Sequence, residues 1–131
     1  MEIITHQGIE QRLCGTPRMV DNHTSIVELV TTGDMVADGS GLIHGGFIFG
    51  LADYAAMIAV NHPNVVLGAA DVKFLKPVKV GQAVVAEARV KELQDKKLYV
   101  SVSVQHAGEE VFQGLFTCFI LRRHVLAGDE G

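Results

Sequence analysis

The chain has 131 residues, of which 48% are hydrophobic and 20% charged, and its net charge is −4 at pH 7. This length and balance predict a single packed domain over residues 1–131 and exclude a disordered segment or a solenoid. Because no Lys/Arg-rich stretch is present to neutralise phosphates over a broad face, we expect no nucleic-acid partner.

The beginning of the chain carries no targeting pattern. It lacks the basic start and apolar run of a signal peptide, and no stretch approaches the roughly 18 consecutive apolar residues of a membrane span. Cys14 and Cys118 are isolated, so we expect reduced thiols and no disulfide. These observations predict a cytoplasmic protein without a membrane partner, while residues 1–20 are ambiguous in secondary structure.

The first clear elements are a strand and a long helix. Residues 24–32 are β-branched and apolar, which predicts a strand, and a glycine-containing loop follows over residues 33–43. Residues 46–61 predict a helix about 24 Å long whose clearly polar side chains are Asp53 and Asn61. A helix that is apolar all round must be covered on every side.

After the helix, apolar residues recur at every second position, the period of strands. Strands are predicted over residues 65–75, 84–90, 98–105 and 111–122, with turns at residues 77–81, 94–96 and 107–109 and a disordered tail at residues 127–131. Short connections make neighbouring strands antiparallel. The order predicts an α+β hotdog fold, a long central helix wrapped by a curved antiparallel sheet of five to six strands.

The start of the helix carries His44, Gly45 and Gly46. Glycines at a helix start let a ligand approach the free amide groups, and the helix dipole favours negative charge there. Such a terminus can serve as an oxyanion hole. The alternative interpretation is that the two glycines allow a tight entry into a crowded helix.

Asp53 is the exceptional residue of the helix. An ionised carboxylate without partners is expensive to bury, so it is hydrogen-bonded for structure, exposed at a subunit seam, or kept for chemistry. It could activate water as a general base or attack a carbonyl carbon itself, and both routes stay open. Gly45 and Asp53 lie about 12 Å apart along one helix, so a site that uses both draws them from two chains of a symmetric dimer.

The stretch HGGFIFGLADYAA places an aspartate seven positions after the second glycine. It resembles the signature of the hotdog acyl-CoA thioesterases of the phenylacetate-catabolism (PaaI-like) type, in the 4-hydroxybenzoyl-CoA thioesterase superfamily. Residues 74–77, FLKP, followed by Gly81, resemble the same group's motif on the strand after the helix. The similarity spans residues 38–121.

The resemblance implies a role for each residue at the helix start. Asp53 would be the catalytic carboxylate, the Gly45 backbone amide would polarise the thioester carbonyl beside Gly46, and His44 would shape the helix entry. The substrate would be an acyl-CoA, with no cofactor beyond the coenzyme A of the substrate. The family also implies a homodimer or a dimer of dimers. Because no histidines have metal-ligand spacing, we expect no metal.

One position departs from the family pattern. Six residues before the histidine the family often has an asparagine that helps polarise the carbonyl, and this chain has Asp38. An ionised aspartate cannot donate that hydrogen bond. Asp38 therefore either holds water in the substrate site or is a loop residue without a role.

Further binding candidates have plainer alternatives. Asp71 and Lys73 share a strand face and form either a surface ion pair or part of the site. Lys73 and Lys76 could contact coenzyme A phosphates, or they are solvated strand ends. Phe47 and Tyr54 either line an acyl pocket or belong to the core.

Three functions fit these residues to different degrees. The favoured hypothesis is a thioesterase that hydrolyses an acyl-CoA to the free acid and coenzyme A. The second is an acyl-CoA binding or sensing module without turnover, which binds acyl-CoA but releases no thiol. The third is a hydratase acting on the acyl chain, which lacks support because no second catalytic histidine pattern accompanies His44.

Overall fold

The computed structural model of the protein describes residues 1–127. In this range the chain forms two helices, six strands and two short 3-10 turns. In chain order they are α1 (Gln11–Cys14), β1 (Thr16–Asp21), β2 (Thr24–Val30), a 3-10 turn (Gly33–Met35), α2 (Gly45–Val60), β3 (Val65–Phe74), β4 (Ala83–Gln94), β5 (Lys97–His106), β6 (Glu109–Ile120) and a 3-10 turn (Val125–Ala127).

The six strands form one antiparallel sheet in the order β1-β2-β4-β5-β6-β3, and α2 contacts all six of them. This is the hotdog arrangement, so the predicted fold class is confirmed. Helix α2 starts and ends one residue earlier than predicted. Of the tail predicted to be disordered, Ala127 closes a 3-10 turn, and residues 128–131 lie outside the described range.

The elements within residues 1–20 escaped prediction for a local reason. Strand β1 contains Pro17, and its register with β2 shifts between Pro17 and Met19. A proline and an irregular register break the two-residue alternation on which a strand prediction depends. The loop at residues 33–43 is also more ordered than its composition indicates, since Val36 pairs with Ile43 in a bridge.

The interior follows the alternation that the sequence shows. Val100 and Val104 of β5 are fully buried against α2, while Ser101 and Ser103 between them lie on the outer face. On α2, alanines at 52, 55 and 56 are fully buried, so the sheet backbone can approach the helix closely. The helix ends at Asn61, whose φ of 53° and ψ of 55° are left-handed.

One buried hydrogen bond fixes the helix against the sheet. The Ser25 hydroxyl of β2 donates to the Ala55 carbonyl oxygen at 2.7 Å, and Ser25 is fully buried. Such a bond contributes about 1 kcal/mol and also sets the rotation of α2 about its axis. It therefore helps to determine which way Asp53, two residues earlier, points.

Candidate active site

The start of α2 presents two free backbone donors. Two backbone hydrogen bonds fix the residues that precede the helix. The His44 amide donates to the Met35 carbonyl oxygen at 2.9 Å, and the Ile43 amide donates to the Val78 carbonyl oxygen at 2.9 Å. The His44 side chain makes no capping bond. Within residues 1–127 the Gly45 and Gly46 amides have no acceptor, because the first amides of an α-helix have no partner inside it.

Gly45 lines a cavity of about 340 Å³ between the helix start and the end of β3. The ring of Phe74 packs over Gly45 and meets the Phe112 ring edge-on, with the centroids 5.1 Å apart. The lining is mostly apolar, with one cationic side chain: Ile43, Gly45, Ile48, Phe74, Leu75, Lys76, Pro77, Val78 and Val111.

The His44 ring lies over Gly46. A β-carbon on Gly46 would lie 3.0 Å from His44 Nε2, and the imidazole meets the Phe47 ring edge-on at 6.2 Å between centroids. A side chain at position 46 would therefore displace the histidine. This contact accounts for the second glycine of the motif and agrees with a role of His44 in shaping the helix entry.

Asp53 is partly exposed, yet its Oδ1 atom is buried and has no hydrogen-bond partner among residues 1–127. Burial raises the pKa of its carboxyl group to about 6. A carboxyl group with this pKa is mainly ionised at neutral pH and is a stronger base than an ordinary aspartate.

Two thiols lie near enough to Asp53 for its charge to affect them. Burial raises the pKa of Cys118 to about 12 and also raises the pKa of Cys14, and the negative charge of Asp53 adds to both shifts. Both cysteines are therefore protonated at neutral pH. The carboxyl group is the better candidate for base or nucleophile in this part of the molecule.

An open strip runs along α2 from the free amides to the carboxyl group. Gly46, Gly50 and Asp53 follow one another at helical spacing and share a face. Apart from the backbone of its own helix, a β-carbon on Gly50 would meet no heavy atom of the described residues within 4 Å. The strip can accept a ligand or a second copy of the chain. Gly45 and Asp53 are about 12 Å apart in one helix, too far to serve one carbonyl group together.

The other predicted binding residues are spread more widely. Tyr54 is 4% exposed and lies beside Gln11 and Cys14 of α1, away from the cavity. Asp38 is exposed, and its Oδ1 accepts bonds from the Ser40 amide at 2.9 Å and the Ser40 hydroxyl at 2.6 Å. These bonds lower the pKa of Asp38, the hydroxyl more than the amide. Its carboxylate is thus bonded within its own loop.

Of the charged candidates, Lys76 lines the cavity beside Gly45 and pairs with Glu109 at 3.2 Å. Asp71 and Lys73 line a different hollow, of about 190 Å³, on the outer face of β3 and β6. Their predicted mutual ion pair is not formed within the described chain.

Sequence reasoning did not assign a role to Phe74 or Gly50. Phe74 belonged to the FLKP motif, from which Lys76 alone was taken as a binding residue. Gly50 could have been found from its position four residues after Gly46 and three before Asp53, which places a third small or functional residue on one helix face.

Comparison with known proteins identifies relatives over most of the chain. The sequence profile of the Thioesterase superfamily matches residues 40–112. The chain is 52% identical over 122 residues to a methylthioribose-1-phosphate isomerase of Aquifex aeolicus, a match that covers 92% of this chain and 27% of that protein. It is 33% identical over 95 residues to the transcription factor FapR of Caldanaerobacter subterraneus, covering 72% of this chain and 48% of FapR. The chain thus spans about a quarter and about half of these relatives.

Two solved structures resemble the whole fold. An uncharacterized protein from Pyrococcus horikoshii is 49% identical with a TM-score of 0.95, covering 96% of this chain and 97% of that one. A mutant of the phenylacetic acid degradation protein PaaI from Thermus thermophilus is 26% identical with a TM-score of 0.77, covering 83% of this chain and 95% of that one. In the described part of the chain, no helix has the length and apolar character needed to cross a membrane.

Proposed function

This chain belongs to the thioesterase superfamily, and we propose that it hydrolyses the thioester of an acyl-CoA to a free acid and coenzyme A. The predicted resemblance to PaaI-like hotdog thioesterases is confirmed. The observation that carries the proposal is Asp53, whose buried Oδ1 atom has no hydrogen-bond partner in the described part of the chain and which lies on the same open helix face as Gly46 and Gly50. We expect no cofactor apart from the coenzyme A of the substrate. The cytoplasmic location stays a prediction.

The chemistry assigns each group one task. The Gly45 N–H donates to the thioester carbonyl oxygen, on which negative charge develops, and the helix dipole strengthens this stabilisation. In one route Asp53 takes a proton from water, whose oxygen attacks the carbonyl carbon. In the other Asp53 attacks directly, and water later hydrolyses the resulting anhydride. In both, the carbon–sulfur bond breaks and coenzyme A leaves as its thiolate.

The cavity beside Gly45 suits one part of such a substrate. Its volume of about 340 Å³ lies in the range of small-ligand sites. Apolar side chains such as Ile48 and Val78 fit an alkyl or pantetheine segment, and Lys76 at the rim offers a positive charge to a phosphate.

The proposed site needs two copies of the chain. Gly45 packs against Phe74 at one end of β3, whereas Asp53 lies near Cys118, which stands opposite Leu67 at the other end. If the β3 strands of two copies lie side by side and antiparallel, the Phe74 end of one meets the Leu67 end of the other. The Gly45 amide of each copy then approaches Asp53 of the other, and a two-fold axis generates two equivalent sites.

The experiment measures thiol release from a panel of acyl-CoAs by wild type, Asp53→Asn and Asp53→Ala. We expect both variants to lose at least about a hundredfold in kcat. Asp95→Asn is the matched control, because Asp95 lies in an exposed turn with φ of 60°, which asparagine also tolerates. Near-native turnover by folded Asp53→Ala would remove Asp53 from the mechanism.

A second candidate is acyl-CoA binding without hydrolysis, in a sensing role. It is favoured by the similarity to FapR, a transcription factor, and by the carboxylate of Asp38, which is bonded to Ser40 and is no hydrogen-bond donor. Isothermal titration alongside the thiol assay separates the two functions. Binding of an acyl-CoA that stays intact over prolonged incubation would favour the sensor.

A further inference from the structure

Helix α1 packs against the middle of α2. The close contact is at Gly15, directly after α1, where φ is 110° and a β-carbon would lie 2.8 Å from Cδ1 of Leu51 and 2.7 Å from Cγ1 of Val27. A side chain at position 15 would therefore push α1 away from α2 and β2. Because Leu51 precedes Asp53 by two residues, this contact brings Cys14, the last residue of α1, into the neighbourhood of Asp53.

The Cys14 thiol lies close enough to Asp53 to be affected by its charge. Burial is the main cause of the raised pKa of Cys14, and the negative charges of Asp53 and then Glu10 add to it. The Cys14 side chain is partly buried and packs against the core. Gln11, one turn earlier in α1, lies beside Tyr54. Helix α1 thus covers the part of the α2 surface that carries Asp53 and Tyr54.

The other neighbours of Asp53 show which of its sides are closed. Cys118 of β6 is fully buried, and the charge of Asp53 adds to the effect of burial on its pKa. Met57, four residues after Asp53 on the same helix face, is also fully buried. In the opposite direction the strip at Gly50 is open. Asp53 therefore has a closed side, formed by α1, β6 and Met57, and an open side toward the strip.

The polar groups on the closed side are two thiols. A thiol is a weak hydrogen-bond donor, and both thiols are protonated and uncharged at neutral pH. The Asp53 Oδ1 atom has no hydrogen-bond partner among residues 1–127. A hydroxyl group or a water molecule in place of the Cys14 thiol would donate a strong hydrogen bond to the ionised carboxylate, which would stabilise it and make it a weaker base.

We propose that Cys14 is a positioning residue of the active site, through which α1 excludes water from the closed side of Asp53. The carboxylate then keeps its basicity, and the polar groups that it can approach lie on its open side, toward the thioester. Cysteine suits this position because it packs as a small apolar side chain. The inference rests on the proposed function for its catalytic meaning, since it specifies how the beginning of the chain prepares Asp53 for the reaction.

Two variants of the same shape test the position without an activity assay. Cys14→Thr and Cys14→Val differ by one hydroxyl group, so any strain from the added bulk is common to both. The titration of the Asp53 carboxyl group is followed by carbon-13 NMR, and its signal is assigned from its absence in Asp53→Asn. We expect Cys14→Val to keep the wild-type midpoint and Cys14→Thr to lower it by about one pH unit. The smaller pair, Cys14→Ala and Cys14→Ser, makes the same comparison without added bulk.

The same variants should change the pH profile of thiol release. For Cys14→Thr the acid limb of kcat/KM should move below the wild-type midpoint of about pH 6, and kcat on the plateau should fall about threefold because the base is weaker. Cys14→Val should keep both values. The control is Val90→Thr, which adds a hydroxyl group to a half-buried side chain of β4 that also packs against the core, and it should leave the midpoint unchanged.

The outcomes separate the role of Cys14 from the hydrolysis. Equal NMR midpoints in the threonine and valine variants, or an equal shift in Val90→Thr, would overturn the inference and leave Cys14 as a residue that fills the core. Thiol release by wild type together with equal midpoints would retain the hydrolytic function. A lowered midpoint in Cys14→Thr of a protein that releases no thiol would retain the shielding of Asp53 and remove the hydrolysis.

Discussion

The Phe74 ring closes over Gly45: a β-carbon on Gly45 would lie 3.1 Å from Cε1 of that ring. The contact links the end of β3 to the start of α2. Gly45 and the same aromatic ring both line the cavity. A substitution at position 45 can therefore act in two ways, by moving the Phe74 ring of the cavity wall or by changing the Gly45 N–H donor.

Two substitutions at Gly45 make that separation. Gly45→Ala adds a β-carbon and keeps the N–H, whereas Gly45→Pro adds a ring and removes the N–H. Proline is favoured at the first helical position, and His44 before it already has the extended backbone that a following proline requires. We expect Gly45→Pro to lower kcat about a hundredfold further than Gly45→Ala, since it deletes an oxyanion donor.

The measurement is steady-state thiol release by both Gly45 variants, with circular dichroism confirming that α2 is retained. Equal turnover by the proline and alanine variants would show that the amide takes no part in the reaction.

The stability of the protein should depend on the protonation of Asp53. Burial raises the pKa of Asp53 to about 6, above the value of about 3.9 for an unfolded chain. The folded state then holds the proton more tightly, so its stabilising contribution is complete below about pH 4 and is lost as the pH rises through 6. Asparagine does not ionise, so Asp53→Asn should not lose stability as the pH rises.

The comparison is between free energies of unfolding at about pH 4 and about pH 8. Asp53→Asn should gain stability relative to wild type over this interval, by up to about 3 kcal/mol. Burying the asparagine amide costs the same free energy at both pH values, so this cost cancels when the stability change at one pH is subtracted from that at the other. If the free energies of unfolding of wild type and Asp53→Asn differ by the same amount at both pH values, Asp53 lies in a solvated environment.

The same titration should shape the pH profile of the enzyme. Asp53 acts as base or nucleophile in its ionised form, so kcat/KM should rise about tenfold per pH unit below the pKa and level off above it. The midpoint is expected at about pH 6. A profile that is flat between about pH 4 and about pH 8 would contradict a role for this carboxylate.

Gly50→Ala tests the open strip on α2. Beyond the adjoining helix backbone, a β-carbon there meets no heavy atom of residues 1–127 within 4 Å, and alanine is the better helix former by about 1 kcal/mol. The monomeric variant should therefore unfold at a higher temperature than the monomeric wild type. Its kcat/KM should fall about tenfold, because the added methyl group occupies space that the substrate or the partner chain uses. Gly8→Ala, also in open space, is the control and should leave kcat/KM unchanged.

Asn61 joins the end of α2 to the beginning of the chain. Its Oδ1 accepts a bond from the Ile4 amide at 2.9 Å, and its Nδ2 donates to the Glu2 carbonyl oxygen at 2.9 Å. Asn61→Gly keeps the left-handed backbone and removes both bonds. Hydrogen exchange at Ile4 should accelerate about tenfold, whereas Asn22→Gly, at φ 53° in the β1–β2 turn, should not change it.

The sequence determined the fold class and indicated which residues form the candidate site. The alternation along β5 and the uniformly apolar α2 specify which faces are buried, because burial of apolar surface dominates folding. His44 and the two glycines that open α2, with Asp53 seven positions after the second glycine, indicated the candidate donors and the candidate carboxylate, and the family resemblance implied their roles. Such features depend on residues close together in the chain, so a pattern in the sequence is sufficient to predict them.

What the tertiary structure decided concerns residues distant in the chain. The contact of Phe74 with Gly45, the separation of Tyr54 from the cavity, and the bonding of Asp38 to its own loop depend on how β3, α1 and the loop pack around α2. The pKa of Asp53 is likewise set by the atoms that exclude water from it. No spacing along the chain encodes these relationships, because burial and contact are properties of the assembled core.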